Sequence, residues 1–278
     1  MQFKVGCDLA YEAHERSLFV FNVQASETES QTVVEDSLTI TPELPIESYR
    51  MPETGNRCIR FEAGPGPVTL RYRALVDHRP QRAHASDIGE TPSERLPPSV
   101  LPFLYPSRYC EADRLRHMAA TEFGWMDRGH DRVQGICNWI YRHLGYIAGA
   151  SDAHTSALDS LIDRAGVCRD FAHLGISMCR ALGIPARYAS VYAWRLRPAD
   201  FHAVFEAYLD GRWYLFDPTR QAAIEGLVRI GVGRDAAEVA FADFIGVVDP
   251  GDMDVFIEAV EPPDVYVPTI DAISISER

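Results

Sequence analysis

The chain has 278 residues, 46% of them hydrophobic and 10% aromatic, with a formal charge of −13 at pH 7. That apolar content suffices for a packed core and excludes a disordered chain, and the length suggests about two domains. The acidic balance argues against a nucleic-acid or anionic-membrane surface, since either needs a basic patch.

Residues 1–8 lack a basic start followed by an apolar core, so no secretory signal is expected. No run approaches the roughly 18 apolar residues of a membrane span. The cysteines (Cys7, Cys58, Cys110, Cys137, Cys168 and Cys179) are scattered, and none forms a Cys-x-x-Cys. They read as reduced cytoplasmic thiols, and neither a structural metal nor a cofactor is expected.

Residues 1–76 read as an antiparallel β-domain. Segments 17–25, 32–40, 58–63 and 68–76 are rich in Val, Ile, Thr, Phe and Tyr, and Pro/Gly/Glu-rich turns separate them. Nothing there gathers catalytic residue types, so packing or partner recognition is its expected role. Residues 77–107 carry prolines at 80, 92, 97, 98, 102 and 106, a density that marks a linker or crossover.

Residues 108–278 form the expected core. Helices are predicted over 108–122 and over 131–144, where Ile136, Trp139, Ile140 and Leu144 recur at helical spacing. Ser156 and Asp159 suggest a capping box opening a third helix over 157–164. Gly166 then interrupts the chain before a helix over 168–182. Cys168, Ala172, Gly175 and Cys179 share one face of it, and their small size lets that face press closely on a sheet. Strands follow over 187–194, 202–209 and 212–217.

Asp210-Gly211 is the strongest short-range hairpin signal, a two-residue turn. It pairs Leu209 with Arg212, Phe205 with Phe216 and Val204 with Asp217. His202 shares a face with Val204, so His202 and Asp217 become diagonal neighbours within hydrogen-bond reach. A thiol at a helix start is favoured as thiolate by the N-terminal amides and by a nearby imidazolium. The pattern alone leaves Cys168 readable either as a nucleophile or as a core cysteine. His173 lies about 140° around the helix from Cys168 and is a poor candidate for the base. His154 sits in a polar loop beside the expected cleft. The run Gly231-Val232-Gly233-Arg234 imitates a dinucleotide fingerprint but lacks the following helix, strand and acidic residue, so it reads as structural.

Gly166-Val167-Cys168-Arg169-Asp170-Phe171-Ala172-His173, Gly183-Ile184-Pro185-Ala186-Arg187, Asp217-Pro218-Thr219 and the stretch 229–235 together resemble the bacterial transglutaminase-like superfamily. Val204 stands where that family commonly has Trp. The first 75 or so residues resemble its β-rich N-terminal region more weakly. The resemblance implies an α+β fold: a β-domain followed by a papain-related core with the nucleophile at a helix N-terminus on an antiparallel sheet. It implies a Cys168–His202–Asp217 triad acting on peptide or side-chain amide bonds through a thioester. Hydrolysis is the leading reading. Acyl transfer by the same triad, or a non-catalytic peptide-binding module, are the alternatives. The oxyanion is expected to bind the Cys168 backbone N–H and one donor from the preceding segment, with Tyr146 as candidate. The expected partner is a peptide or protein substrate, without nucleic acid or membrane; homo-oligomerisation is left open.

Overall fold

The computed structural model describes residues 1–276. The N-terminal region contributes β1 (Gln2–Ala13), β2 (Ser17–Phe21), β3 (Gln31–Thr41), β4 (Glu47–Arg50), β5 (Arg57–Ala63), β6 (Gly66–His78) and β7 (Gln81–Ala83). The middle holds α1 (Arg116–Phe123), α2 (His130–His143), β8 (Gly145–Tyr146), α3 (Ala157–Asp163), β9 (Ala165–Gly166) and α4 (Cys168–Ala181). Then come β10 (Ala186–Ala193), β11 (Phe201–Leu209), β12 (Arg212–Phe216), β13 (Leu227–Gly233), β14 (Ala242–Ile245), β15 (Val248–Ala259) and β16 (Ala272–Ser274). The fold is α+β.

Two four-stranded sheets, ordered β15-β1-β6-β3 and β14-β2-β5-β4, enclose one apolar cluster that includes Phe3, Phe19, Phe21, Phe61 and Tyr72. Residues 242–259, assigned by sequence to the core, return to pair β14 with β2 and β15 with β1. Alternation was too weak to reveal them, because β15 lies on a sheet edge with most side chains exposed. The proline-rich segment is likewise not wholly irregular: β7 forms within it and pairs with β16. The first predicted helix begins late, at Arg116, because the chain at 107–110 is held by a Ser107–Cys110 bridge and by Tyr109 N–H donating to Asp235.

A third four-stranded sheet runs β12-β11-β10-β13, all antiparallel. Its hairpin has the predicted register, with Phe205 opposite Phe216 and Leu209 opposite Arg212. Asp210 and Gly211 both take positive φ, 45° and 78°, as a two-residue turn of this twist requires. Phe205 and Phe216 stack at 5.5 Å with rings 17° apart. They belong to the cluster that α4 packs against, whereas Val204 joins Leu215, Ile273 and Ile275 in a separate cluster.

Helix α4 carries the predicted small face. Ala172, Gly175 and Cys179 are buried and Cys168 is half-buried at the first turn. A Cβ built on Gly175 would lie 2.5 Å from a ring carbon of Phe205, so only glycine permits this approach. Beneath the strands, Glu206 is fully buried yet accepts from Arg187 Nε at 2.6 Å and Ser276 Oγ at 2.5 Å. Those bonds offset the cost of removing its charge from water.

Gly175→Ala should therefore force Phe205 to move within a close-packed interior. The expected cost is about 1–3 kcal/mol of stability, read by urea denaturation as a lower midpoint at unchanged slope. A midpoint equal to wild type would show that helix and sheet can separate without penalty.

Candidate active site

Cys168 is the first residue of α4, directly after the extended residue Val167. Its backbone N–H therefore has no partner within the helix and points, with the neighbouring first-turn amides, toward the space at the helix end. Val167 has no side-chain acceptor, so half of a capping box is missing. The other half is present: Asp170 Oδ2 accepts from the Val167 N–H at 2.8 Å.

His202 is the second residue of β11 and is 2% exposed. Asp217 follows the last residue of β12, so the pair meets at the open end of the hairpin, beyond the last rung of the ladder. His202 Nε2 and Asp217 Oδ2 are 3.0 Å apart. The other carboxylate oxygen, Oδ1, accepts from Thr219 N–H at 2.9 Å and Thr219 Oγ1 at 2.7 Å. Thr219 thus holds the carboxylate with one oxygen aimed at the ring. The local sequence Asp217-Pro218-Thr219 explains this, because an Asp readily accepts from the amide two residues on.

Nε2 is engaged with Asp217, and Nδ1 is buried without a protein partner in strict hydrogen-bond geometry. The Cys168 thiol is nonetheless close enough to act on the ring. Burial alone would lower the His202 pKa, but Asp217, and then Cys168, outweigh it and raise it to about 10. Burial likewise opposes ionisation of Asp217, and the imidazolium and Thr219 hold its carboxyl below the ordinary range. The pair is thus an imidazolium–carboxylate, with Nδ1–H available to the thiol.

Tyr146, the residue nominated from sequence as an oxyanion donor, lies against Cys168. Its phenol is raised to about 12, chiefly by burial and then by the charge of Cys168, whose backbone N–H also donates to it. The hydroxyl stays protonated and stands beside the thiol, with the first amide of α4 donating to its oxygen. Tyr146 is brought there by the parallel β8–β9 pairing, which sets it opposite Gly166.

His173 is not part of this group. It is fully buried, stacks on Tyr109 at 5.0 Å, and accepts from the Ala236 N–H at 3.1 Å. Burial pushes it down to about 3, so it is a neutral structural acceptor. His154 is exposed, and its backbone N–H donates to Asp152. Residues 231–233 end strand β13, with Val232 paired to Asn56 through two 2.9 Å bonds, which ties the core to the β-domain. Among the described residues no group of His, Cys, Asp or Glu is arranged to hold a metal ion. No helix among them is long and apolar enough to cross a membrane.

Sequence reasoning missed Asp170, Ser151 and Thr219. Asp170 had a legible signal, an acidic residue at the third position of the helix. Ser151 had none, because its role depends on a loop folding back.

The transglutaminase-like superfamily model matches residues 117–218, and the bacterial transglutaminase N-terminal domain model matches residues 1–88. A crystal structure of a putative cysteine protease from Cytophaga hutchinsonii is 40% identical. It covers 99% of this chain and 97% of that chain, with a TM-score of 0.94. An uncharacterised protein of Mycobacterium leprae is 39% identical over 117 residues, or 39% of this chain and 42% of its own length. One of Mycobacterium tuberculosis is 29% identical over 142 residues, or 46% of this chain and 45% of its own. The match thus spans less than half the length of these curated relatives. With both family models in tandem and near-complete agreement with the Cytophaga structure, the chain belongs to the transglutaminase-like superfamily.

Proposed function

We propose that this chain is a thiol-dependent hydrolase acting on peptide or side-chain amide bonds. The observation that carries the reading is the convergence of Cys168, His202 and Asp217, with one imidazole nitrogen held by a buried carboxylate and the other left to the thiol. The designation of the Cytophaga relative supports hydrolysis, and the family itself supports thiol-dependent acyl chemistry.

Cys168 Sγ, as thiolate, attacks the amide carbonyl carbon. The oxyanion of the tetrahedral intermediate is met by the Cys168 N–H and the Tyr146 hydroxyl. The C–N bond then breaks, and Nδ1–H of His202 supplies the proton that leaves with the amine. The resulting thioester is opened by water, whose proton passes to His202 as the oxygen bonds to the acyl carbon; the C–S bond then breaks, releasing the free acid and returning the Cys168 thiolate beside the imidazolium. Asp217 holds the ring in the orientation that presents Nδ1 throughout. Acyl transfer differs only in the second step, where an amine replaces water. The free thiols, five of them buried, support a reducing, cytoplasmic setting.

Limiting iodoacetamide at neutral pH should label Cys168 before any other cysteine. The remaining five are buried, and burial raises their pKa values, Cys7 and Cys110 to about 12. Peptide mapping that finds uniform labelling would remove Cys168 from the role.

Cys168→Ala should abolish turnover of an amide substrate found in a peptide library. Asp217→Asn should lower kcat by on the order of 10 to 10³, less than the roughly 10⁴ of a serine triad, because a thiolate–imidazolium pair depends less on its third member. Analysis of the released products separates the routes: a free acid indicates hydrolysis, and an amine adduct indicates transfer. A folded Asp217→Asn chain at wild-type rate would overturn the role of Asp217.

The ion pair also sets a pH window. His202 titrates above its unfolded value, so its contribution to stability is complete below about 6.5 and disappears as pH rises through about 10. Asp217 titrates below its unfolded value, so its contribution is complete above about 4 and is lost in stronger acid. The melting-temperature gap between wild type and His202→Gln should be widest near pH 4–6.5 and close toward pH 10. A gap independent of pH would show that the pair is not ionised.

A further inference from the structure

Asp170 lies two residues after the thiol, is 0% exposed, and is not required by the triad chemistry. A carboxylate is costly to bury, and a helix cap would need only one of its oxygens. Here both are used. Oδ2 accepts from the Val167 N–H at 2.8 Å and from Ser151 Oγ at 2.5 Å. Oδ1 faces Arg169, at 3.2 Å from Nη2 and 3.4 Å from Nε. Arg169 in turn donates to the backbone carbonyl of Asp152, beside Ser151.

These bonds close a frame. Tyr146 is opposite Gly166 in the β8–β9 ladder, and the next amide, Ile147 N–H, donates to Gly166 O at 3.0 Å. From there the chain runs out through an exposed loop and is drawn back to α4 at Ser151 and Asp152. The carboxylate therefore grips both sides of the nucleophile: the peptide preceding it, through Val167, and the loop that leaves Tyr146, through Ser151. Gly166 is part of the fit. A Cβ there would stand 2.7 Å from Asp170 Cβ and 2.8 Å from its Oδ2.

We propose that Asp170 is a positioning residue for the nucleophile, a buried brace that holds the Cys168 amide and the Tyr146 hydroxyl in one fixed oxyanion-binding arrangement. The inference rests on the amide-cleavage reading of the site above. If the two donors drift apart, substrate still enters the cleft but the tetrahedral intermediate loses part of its stabilisation. The loss falls on kcat and leaves KM nearly unchanged.

The test uses the full chain and a peptide amide that the wild type cleaves. Ser151→Ala removes one bond from a half-exposed side chain and changes no charge, so the fold should melt as wild type does. It should lower kcat about 5- to 30-fold at a KM within about twofold, as expected when one positioned donor is loosened. Ser151→Thr keeps the hydroxyl and should restore the rate. Asp170→Asn retains an acceptor for Val167 but gives up the charge and its second set of bonds, and should lower kcat further. If Asp170 acted only as a charge near the thiolate, removing it would speed Cys168 alkylation by iodoacetamide and Ser151→Ala would change nothing. That outcome overturns the proposal, as would wild-type kcat in Ser151→Ala. Selective alkylation of Cys168 in the wild-type chain tests the site itself, so its failure is distinguishable from failure of the brace.

Discussion

The contact between Gly175 and the ring of Phe205 is the constraint on which the site depends. A helix can approach a sheet this closely only where a residue lacks a side chain, and the approach fixes the height of α4 over β11. Cys168 lies two turns toward the helix N-terminus from that contact, and His202 lies three residues toward the start of β11 from the same ring. The thiol stands close enough to that imidazole to help raise its pKa. Phe216 stacks on Phe205 and sets the end of β12, after which Asp217 leaves the ladder and turns to the imidazole.

Electrostatics then decides the chemistry of the three groups. An imidazole buried alone would stay neutral, and a carboxylate buried alone would take up a proton. Placed 3.0 Å apart and shielded from water, each raises the cost of neutralising the other, so both are charged. Thr219 adds two donors to the carboxylate and so limits its freedom to rotate. The cost of desolvating this pair is accepted at the one place in the sheet where a charged ring is useful. Glu206, equally buried, is met by Arg187, Arg229 and Ser276 and serves the packing beneath the strands.

The β-sandwich is more than an appendage to this core. One outer strand of each of its sheets comes from the C-terminal side of the chain, and Asn56 bonds both the N–H and the carbonyl of Val232 in β13, the strand next to β10. The two regions therefore share strands and hydrogen bonds, and separating them at residue 76 or 108 would strand β14 and β15 without partners. The sheet that carries His202 thus has one edge tied to the sandwich.

Much of the site was legible in the sequence. The small face of α4, the Asp210-Gly211 turn, the register it imposes and the Ser156–Asp159 capping box follow from spacing and from the conformations those residues prefer, and the chain obeys them. Local geometry is enough in such cases because the interacting residues are close along the chain or joined by a turn of known length. What lay beyond it were contacts whose partners are distant in sequence and have no periodic signature. The return of β15 to pair with β1 across some 250 residues is one. The approach of Ser151 to Asp170 through an irregular loop is another. Single residue identities determined which groups could do chemistry; only the tertiary packing decided which of them would share a buried space, because burial is a property of all the elements together.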